Sequence, residues 1–376
     1  MQLFLLFFRY NITMNKHNTS KNGFLLLSKY RTAIMGFAAL WILIFHVWEP
    51  LIPYTSNPVL NIFVYLEHFN KRFGFAGVDI FLLLSGAGLT YAIKKESVPV
   101  FYAKRMRRVL PPYLLLAVIR AVFEKWSILD FIRNVSGYNF YTVHIFSFLW
   151  FVPAIITFYL FFPLYFKLFS KAKNKLLFTG CVILIWMLLT FLVRNIMPYH
   201  LFGFTNRIPI FVVGIYVGYV SQNHKEIVFR KWTYLLLLAV LSIGLYLAYI
   251  YNYTSFKIFI NQGNTFLPPF LIAISLPFLL AKLLDILANR VLTLERILNV
   301  TLSFFGAISL ELYCFQDWFE KSIPYLQYFG FPDIVINFSV ILISIATAWV
   351  CSKLTKFFLQ ELPGIIKNRK KNEKVT

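Results

Sequence analysis

The chain has 376 residues, of which 59% are hydrophobic and only 14% are charged, and its formal net charge is +22. Soluble globular chains carry about 25% charged residues because their surface faces water, so this composition excludes an ordinary soluble enzyme. With 16 Gly and 16 Pro, the chain is neither collagen-like nor a low-complexity disordered polymer. The three cysteines have no paired spacing, so we expect neither a disulfide framework nor a metal site.

Ten runs of the sequence are apolar enough to cross the hydrocarbon core of a bilayer, which takes about 20 helical residues. The sequence therefore predicts an all-α integral membrane protein with about ten transmembrane helices. The runs lie at about 27–48, 74–93, 109–123, 147–168, 176–193, 207–221, 232–251, 266–284, 301–318 and 334–356.

The distribution of positive charge predicts the orientation of these spans. Cytoplasmic segments of membrane proteins carry an excess of Lys and Arg. If the N-terminus is cytoplasmic, 28 of the 37 Lys and Arg residues fall in cytoplasmic segments and 8 in outer segments. We therefore predict that both termini are cytoplasmic. Membrane lipid, rather than nucleic acid, is the expected partner of the positive charge.

The two ends of the chain differ from its middle. The opening MQLFLLFF is too short for a signal peptide and is followed by polar residues, so Met14 is a candidate for the true start. We predict a cytoplasmic N-terminal segment at 1–26, one membrane domain at 27–358 and a basic cytoplasmic tail at 359–376.

A lone imidazole follows the first apolar run. His46 comes fifteen positions after Arg31, which is about 22 Å along a helix. Glu49 is three positions further and shares a helical face with His46, so it can orient the ring as a general base. The alternative is that His46 and Trp48 form part of the aromatic belt at the membrane interface.

The second apolar run contains a polar and glycine-rich cluster, GFAGVDIFLLLSGAGL. Asp79 and Ser85 are polar groups inside this run, where such groups are costly and mark candidate sites. The alternative is that the small residues serve helix packing and that Asp79 stabilises the N-terminus of a helix.

The segment FYAKRMRRVLPPY concentrates positive charge before the third run. Lys104, Arg105, Arg107 and Arg108 are predicted to stand just before a helix that begins at the two prolines. A cationic cluster at a helix N-terminus binds phosphates through charge and through backbone N–H groups. The same residues also suit a positive flank on the cytoplasmic side, and the two interpretations are compatible.

Later runs carry weaker signals. Gly214 and Gly218 are spaced as a packing face between helices. An intramembrane carboxylate, Glu311, needs a partner. Further candidate residues of these runs are Trp150, Arg207 and Gln316.

These segments occur together in a known order. The chain resembles the membrane acyltransferase-3 family, the bacterial ten-span O-acyltransferases that modify surface polysaccharides. No segment is specific alone, but six in the same order and at similar spacing support the resemblance over residues 27–350. The segments are R-x4-GFAALWILIFH, GVDIFLLLSG, FYAKRMRRVLPPY, LWFVPAIITFYLFFP, RIPIFVVGIYVG and FFGAISLELYCF.

The resemblance implies an acyl-CoA donor on the cytoplasmic side and a carbohydrate hydroxyl as acceptor. Arg105 and Arg108 match the basic pair of the family, which implies that they hold the phosphates of the donor. Lys104 and Tyr113 lie in the same motif and are implied to contact acyl-CoA as well. His46 matches the histidine of the first span and is implied to be the base.

Two positions depart from the family pattern. The family commonly has an arginine eleven positions before the histidine, where this chain has Met35. Because Arg31 lies one helical turn earlier on the same face, we expect it to supply that cation. Many relatives have a histidine at the end of the ninth-span motif, where Gln316 stands here. This departure argues against proton transfer at that position.

The sequence therefore predicts an integral membrane O-acyltransferase of the bacterial cytoplasmic membrane, and an O-acetyltransferase above all. Buried His46, oriented by Glu49 or Asp79, would deprotonate a sugar hydroxyl or assist an acyl relay. Acyl-CoA is a substrate, and no bound cofactor is expected. The protein is expected either to complete the transfer alone or to pass the acyl group to a separate extracytoplasmic partner.

Two other functions compete with this prediction. An exporter of a surface glycan should show repeat symmetry and discontinuous helices, and the sequence shows neither. A role as a structural membrane scaffold would not explain His46 and Asp79, because ionisable residues in apolar runs are costly.

Overall fold

A computed structural model describes residues 22–53, 57–142, 148–193, 201–224, 227–253 and 266–357. These residues form helices and their connections, and none of them lies in a β-strand, so the all-α prediction is confirmed for this part of the chain. Met14 and the predicted tail 359–376 lie outside the described residues. In chain order the helices are α1 Gly23–Lys29, α2 Arg31–Val47, α3 Pro58–Phe73, α4 Ala76–Ile93, α5 Val98–Phe123, α6 Ile128–Val135, α7 Tyr138–Thr142, α8 Phe151–Lys171, α9 Lys175–Val193, α10 Phe202–Thr205, α11 Ile208–Asn223, α12 Lys231–Tyr253, α13 Leu267–Arg290, α14 Leu292–Ala307, α15 Ser309–Glu320, α16 Ile323–Tyr328 and α17 Asp333–Lys356.

Seven candidate membrane spans in the described part of the chain are long and apolar enough to cross a membrane. They are α4, α8, α9, the unit of α10 and α11, α12, α13 and α17. Two further pairs qualify only when each is counted as one bent span: α1 with α2, bent by 70°, and α14 with Ser309–Tyr328, the segment of α15 and α16, bent by 69°. The chain is thus a multi-pass protein with seven to nine such spans among the described residues. Ten spans and two cytoplasmic termini stay a prediction.

The third predicted span, 109–123, is the second half of a longer helix. Helix α5 begins at Val98 with Pro99 in its first turn, where a missing N–H group is tolerated, and it continues through Pro111 and Pro112. The four basic residues of the motif therefore lie inside a helix. The prediction that they precede a helix N-terminus is wrong, because the chain enters the helix earlier than the paired prolines suggest.

Glycines bring the central helices into direct backbone contact. A Cβ atom on Gly214 of α11 would overlap the backbone oxygen of Leu83 on α4, and one on Gly86 of α4 would lie 2.5 Å from the oxygen of Phe211. Gly218 faces the backbone of α4 in the same way. The predicted packing role of Gly214 and Gly218 is therefore confirmed.

The two ends of the helix bundle carry different chemistry. Lys94 follows α4 and Lys175 begins α9, and both ammonium groups lie about 6 Å from the ring of Tyr219 near the end of α11. We call this side of the bundle the basic end. The other side, where α2 and α15 finish and α4 and α11 begin, is called the His46 end.

Candidate active site

Two bent spans cross at the centre of the bundle. Helix α2 starts at Arg31 directly after the first bend, and α14 gives way to α15 at Ile308. Gly36 of α2 and Gly306 of α14 lie so close that a Cβ atom on either would overlap the backbone of the other helix. The two bends are therefore neighbours, and the helices around them leave room for a cavity.

The central cavity, of about 300 Å3, lies beside this crossing. Side chains from α2, α4, α5, α8, α14 and α15 line it, and most of them are apolar, as is usual for small-molecule sites. Its polar lining includes Arg31, Ser85, Arg108, Tyr159, Tyr313 and Gln316.

A second cavity, of about 320 Å3, opens towards the basic end. It shares Arg31, Ser85 and Tyr159 with the central cavity and adds Lys95 and Arg105 to its lining. Because three residues border both spaces, the two cavities adjoin, and together they lead from the basic end to the middle of the bundle.

Arg31 lies at the junction of the cavities. Its Nε donates a hydrogen bond to the backbone oxygen of Leu84 at 3.2 Å, and Gly88 leaves room for its guanidinium group. Leu84 is nine residues before the end of α4, so Arg31 lies about 13 Å inside the bundle rather than at its edge. Met35 lines the central cavity with Arg31, as their shared helical face predicts. Among the described carboxylates, none forms an ion pair with Arg31.

The residues predicted to hold the donor phosphates separate into different surroundings. Arg105 lines the second cavity, with its guanidinium 5.3 Å from the ring of Phe101. Its buried Nε has no hydrogen-bond partner in the described part of the chain. Lys104 instead points to the exposed surface and pairs with Glu96 at 2.7 Å. Of Arg105 and Lys104, Arg105 is therefore the residue that can contact a ligand in the second cavity.

Arg108 is held by a carboxylate. Its terminal nitrogens bind the two oxygens of Glu311 at 2.5 and 2.9 Å, and one of them also donates to the backbone oxygen of Ala307 at 3.1 Å. Ala307 ends α14, so this cation satisfies a carbonyl at the second bend. Arg108 lines the central cavity, yet its charge is already compensated, and Glu311 has the partner that the sequence analysis required.

Tyr113 lies in the protein core and lines neither of the two cavities described above. Its side chain is 1% exposed, and its hydroxyl donates to the backbone oxygens of Asn134 and Val135 at 2.9 and 3.3 Å. It therefore fixes the end of α6 to α5. The expected contact between Tyr113 and acyl-CoA stays a prediction.

Buried Asp79 and Arg207 form one cluster with half-buried Trp150. The Asp79 carboxylate lies 3.4 Å from Nε of Arg207, whose guanidinium is 5.2 Å from the Trp150 ring and donates to the backbone oxygen of Gly203. Arg207 thereby joins the start of α11 to the starts of α4 and α8. Asp79 thus serves Arg207, and the expectation that it orients His46 is corrected.

His46 contacts a carboxylate that the sequence analysis did not consider. Its Nδ1 lies 2.9 Å from Oε2 of Glu320, and the two side chains are 35% and 39% exposed. His46 is therefore half-buried, not buried. Glu49 exchanges backbone hydrogen bonds with the Asn337 side chain at 2.8 and 2.7 Å, and Glu320 occupies the place expected for Glu49 or Asp79.

Gln316 offers an unfilled hydrogen-bond acceptor to the central cavity. Its side chain is 1% exposed and lines the cavity, and its Oε1 has no hydrogen-bond partner among the described residues. A buried acceptor without a partner costs about 1–3 kcal/mol. A ligand that donates an N–H or O–H group would recover that cost.

Glu320 and Tyr159 are candidate site residues that the sequence does not predict. Glu320 lies two residues beyond the end of the predicted ninth span at 318. The available signal was its spacing of four from Gln316, which places both residues on one face of α15. Tyr159 has no distinctive sequence signal. Its place in the site depends on Arg31, Arg105 and Arg108, which lie near it only in the folded chain.

Comparison with known proteins identifies the family of the chain. No curated protein and no solved structure matches the chain. The family model of the acyltransferase domain named acyltransferase-3 matches residues 33–353, most of the chain and nearly all of the helices that line the two cavities. The chain therefore belongs to the acyltransferase-3 family and is a multi-pass membrane acyltransferase.

Proposed function

We propose that the protein takes an acyl group from acyl-CoA at the basic end and transfers it to a carbohydrate hydroxyl at the His46 end. One observation carries this proposal. The adjoining cavities run from Arg105 and Lys95, through the junction at Arg31, to Gln316 on the helix that also holds Glu320. Such a path suits a donor with an anionic head and a long arm.

The lining of the path matches the parts of acyl-CoA. Its phosphates need cations, which Lys95 and Arg105 supply at the mouth and Arg31 supplies deeper in the path. The pantetheine arm carries amide N–H groups, which the unfilled Oε1 of Gln316 can accept. Arg108 is left out of the phosphate site in this proposal because Glu311 already compensates its charge.

His46 is the proposed general base. It removes the proton of the acceptor hydroxyl while the hydroxyl oxygen forms a bond to the thioester carbonyl carbon. The bond from that carbon to sulfur then breaks, and its electron pair leaves with the CoA thiolate. The thiolate receives the proton that His46 gained, which restores the neutral imidazole, so the products are an ester and CoA thiol. We propose an acetyl group as the acyl group, a surface or exported polysaccharide as acceptor, and the bacterial cytoplasmic membrane as location.

Charge reversal at Arg105 is expected to weaken acyl-CoA binding by about 10–100-fold. A hydrogen bond to a charged group contributes about 1.5–3 kcal/mol, and the reversed charge would also repel phosphate. The measurement is acetyl-CoA binding to purified Arg105→Glu in detergent.

The matched control is Arg107→Glu. This residue lies on the same helix, is exposed, and lines neither cavity, so its reversal removes the same net charge without touching the path. Equal affinities of the two variants would contradict the donor site.

An exporter of a surface glycan is the second candidate function, and one observation favours it. The sequence analysis found no discontinuous helices, yet two bent spans meet at the central cavity, a feature that transporters use at their substrate sites.

Cells with and without the protein distinguish the two functions. An acyltransferase predicts that the glycan remains on the surface and that its O-acyl signals disappear from the NMR spectrum. An exporter predicts that the glycan itself is missing from the surface, and that result would overturn the acyltransferase proposal.

A further inference from the structure

We propose that Glu320 is a positioning residue for His46, which it holds in the one tautomer that can accept a proton from the acceptor hydroxyl. The proposal rests on the proposed function, in which His46 is the base. The observation behind it is the 2.9 Å contact between Nδ1 of His46 and Oε2 of Glu320.

The contact determines which ring nitrogen is available. A carboxylate only accepts hydrogen bonds, so Nδ1 of a neutral imidazole beside it must carry the proton. The lone pair of His46 is then on Nε2, the atom that can take the hydroxyl proton. When the ring gains that proton, the negative charge of Glu320 stabilises the imidazolium, as the carboxylate of a catalytic triad does.

The pair lies one helical turn beyond the central cavity. His46 is four residues after Ile42 on α2, and Glu320 is four residues after Gln316 on α15, a rise of about 6 Å in each case. Ile42 and Gln316 both line the cavity. Two walls of the cavity therefore continue directly into the two members of the pair.

A second carboxylate near His46, that of Asp317, is already paired, which leaves Glu320 to position the ring. On α15, Asp317 also lies near His46, but its carboxylate binds Arg120 of α5 at 3.1 Å. Arg120 is shared with Glu124 at 2.8 Å, and Lys321 is 4.0 Å from Glu124. These four residues compensate one another.

The exposure of the pair fits an acceptor that arrives from the His46 end. More than a third of each side chain is accessible, whereas the central cavity on the other side is lined by helices. A hydroxyl of a long polymer can therefore approach Nε2 without the polymer entering the bundle.

The test compares three replacements of Glu320 in the full-length protein. Glu320→Gln keeps the size and a hydrogen-bond acceptor but removes the charge, so kcat is expected to fall about 10–100-fold. The KM for acyl-CoA should stay within about twofold because the donor path is untouched. Glu320→Asp should recover part of the lost kcat, whereas Glu320→Ala should not.

The matched control is Asp333→Asn, which removes an exposed carboxylate at the start of α17 that accepts a hydrogen bond from Gln327. Acyl-CoA binding by each variant reports that it is folded. The proposal is overturned if Glu320→Gln lowers kcat no more than Asp333→Asn does, or if Glu320→Asp is as impaired as Glu320→Ala.

A double variant separates this proposal from the proposed function. If the two residues act as a unit, His46→Ala with Glu320→Gln should be no slower than His46→Ala alone. Full activity of His46→Ala would overturn the role of His46 as the base. An inactive His46→Ala beside a fully active Glu320→Gln would overturn only the positioning role of Glu320.

Discussion

Replacing His46 by alanine is expected to lower the rate of O-acylation by about 100- to 10,000-fold, the range typical for loss of a general base. The imidazole lies at the end of α2, one turn beyond the central cavity, and contacts Glu320. The hydroxyl of a sugar is a poor nucleophile until its proton is removed, so the loss should appear in kcat. The measurement is transfer of labelled acetyl from acetyl-CoA to glycan by membranes that contain equal amounts of each variant.

The histidine control is His224→Ala. His224 caps α11 at the basic end, far along the bundle from the proposed chemistry, and lines none of the cavities described. Acetyl-CoA binding should survive in both variants, because neither residue contacts the donor path. A His46→Ala protein that transfers acetyl at the rate of His224→Ala would show that another group is the base.

Replacing Arg31 by lysine is expected to lower activity by about 10–100-fold although the charge is kept. Arg31 is inside the bundle, where its Nε donates to Leu84 and its guanidinium borders both cavities. A lysine offers a single ammonium group and cannot bind the Leu84 oxygen and a ligand with the same fork geometry. Acylation rate and acetyl-CoA affinity of Arg31→Lys report the loss.

Adding Met35→Arg to Arg31→Lys should restore part of the activity. Met35 lies one turn further on the same face and lines the central cavity, so an arginine there can reach the same space. Arg290→Lys at the exposed end of α13 is the control for an arginine that acts only through its charge, and it should be silent. Full activity of Arg31→Lys would reduce Arg31 to a topology anchor.

Much of the fold followed from composition and periodicity. Long uncharged runs predicted helices that cross a membrane, and a lone imidazole and a cationic cluster marked both ends of the site. These signals are local, because they depend on the spacing of residue types along one helix. The structure places Arg105 on the second cavity and His46 one helical turn beyond the central cavity, on opposite sides of the bundle.

The pairing of charges could not be predicted in the same way. His46 and Glu320 are far apart in sequence, and so are Arg108 and Glu311. Which carboxylate meets which cation depends on how the bent spans cross, and a bend at Ile308 leaves no periodic signal in an apolar run. From the sequence alone, Glu49 is the expected partner of His46 because it is the nearest carboxylate along the chain.

The unbroken helix between Arg31 and His46 fixes the distance between these two residues. Because α2 runs without interruption from one residue to the other, their separation along the axis is fixed at about 22 Å. A donor whose head is held at the Arg31 junction must span that interval before its carbonyl meets the acceptor. In full-length acyl-CoA the pantetheine arm lies between the phosphates and the thioester. A truncated thioester without the nucleotide could enter the cavity but would have no anchor at the far end, so the enzyme should select donors by length as well as by charge.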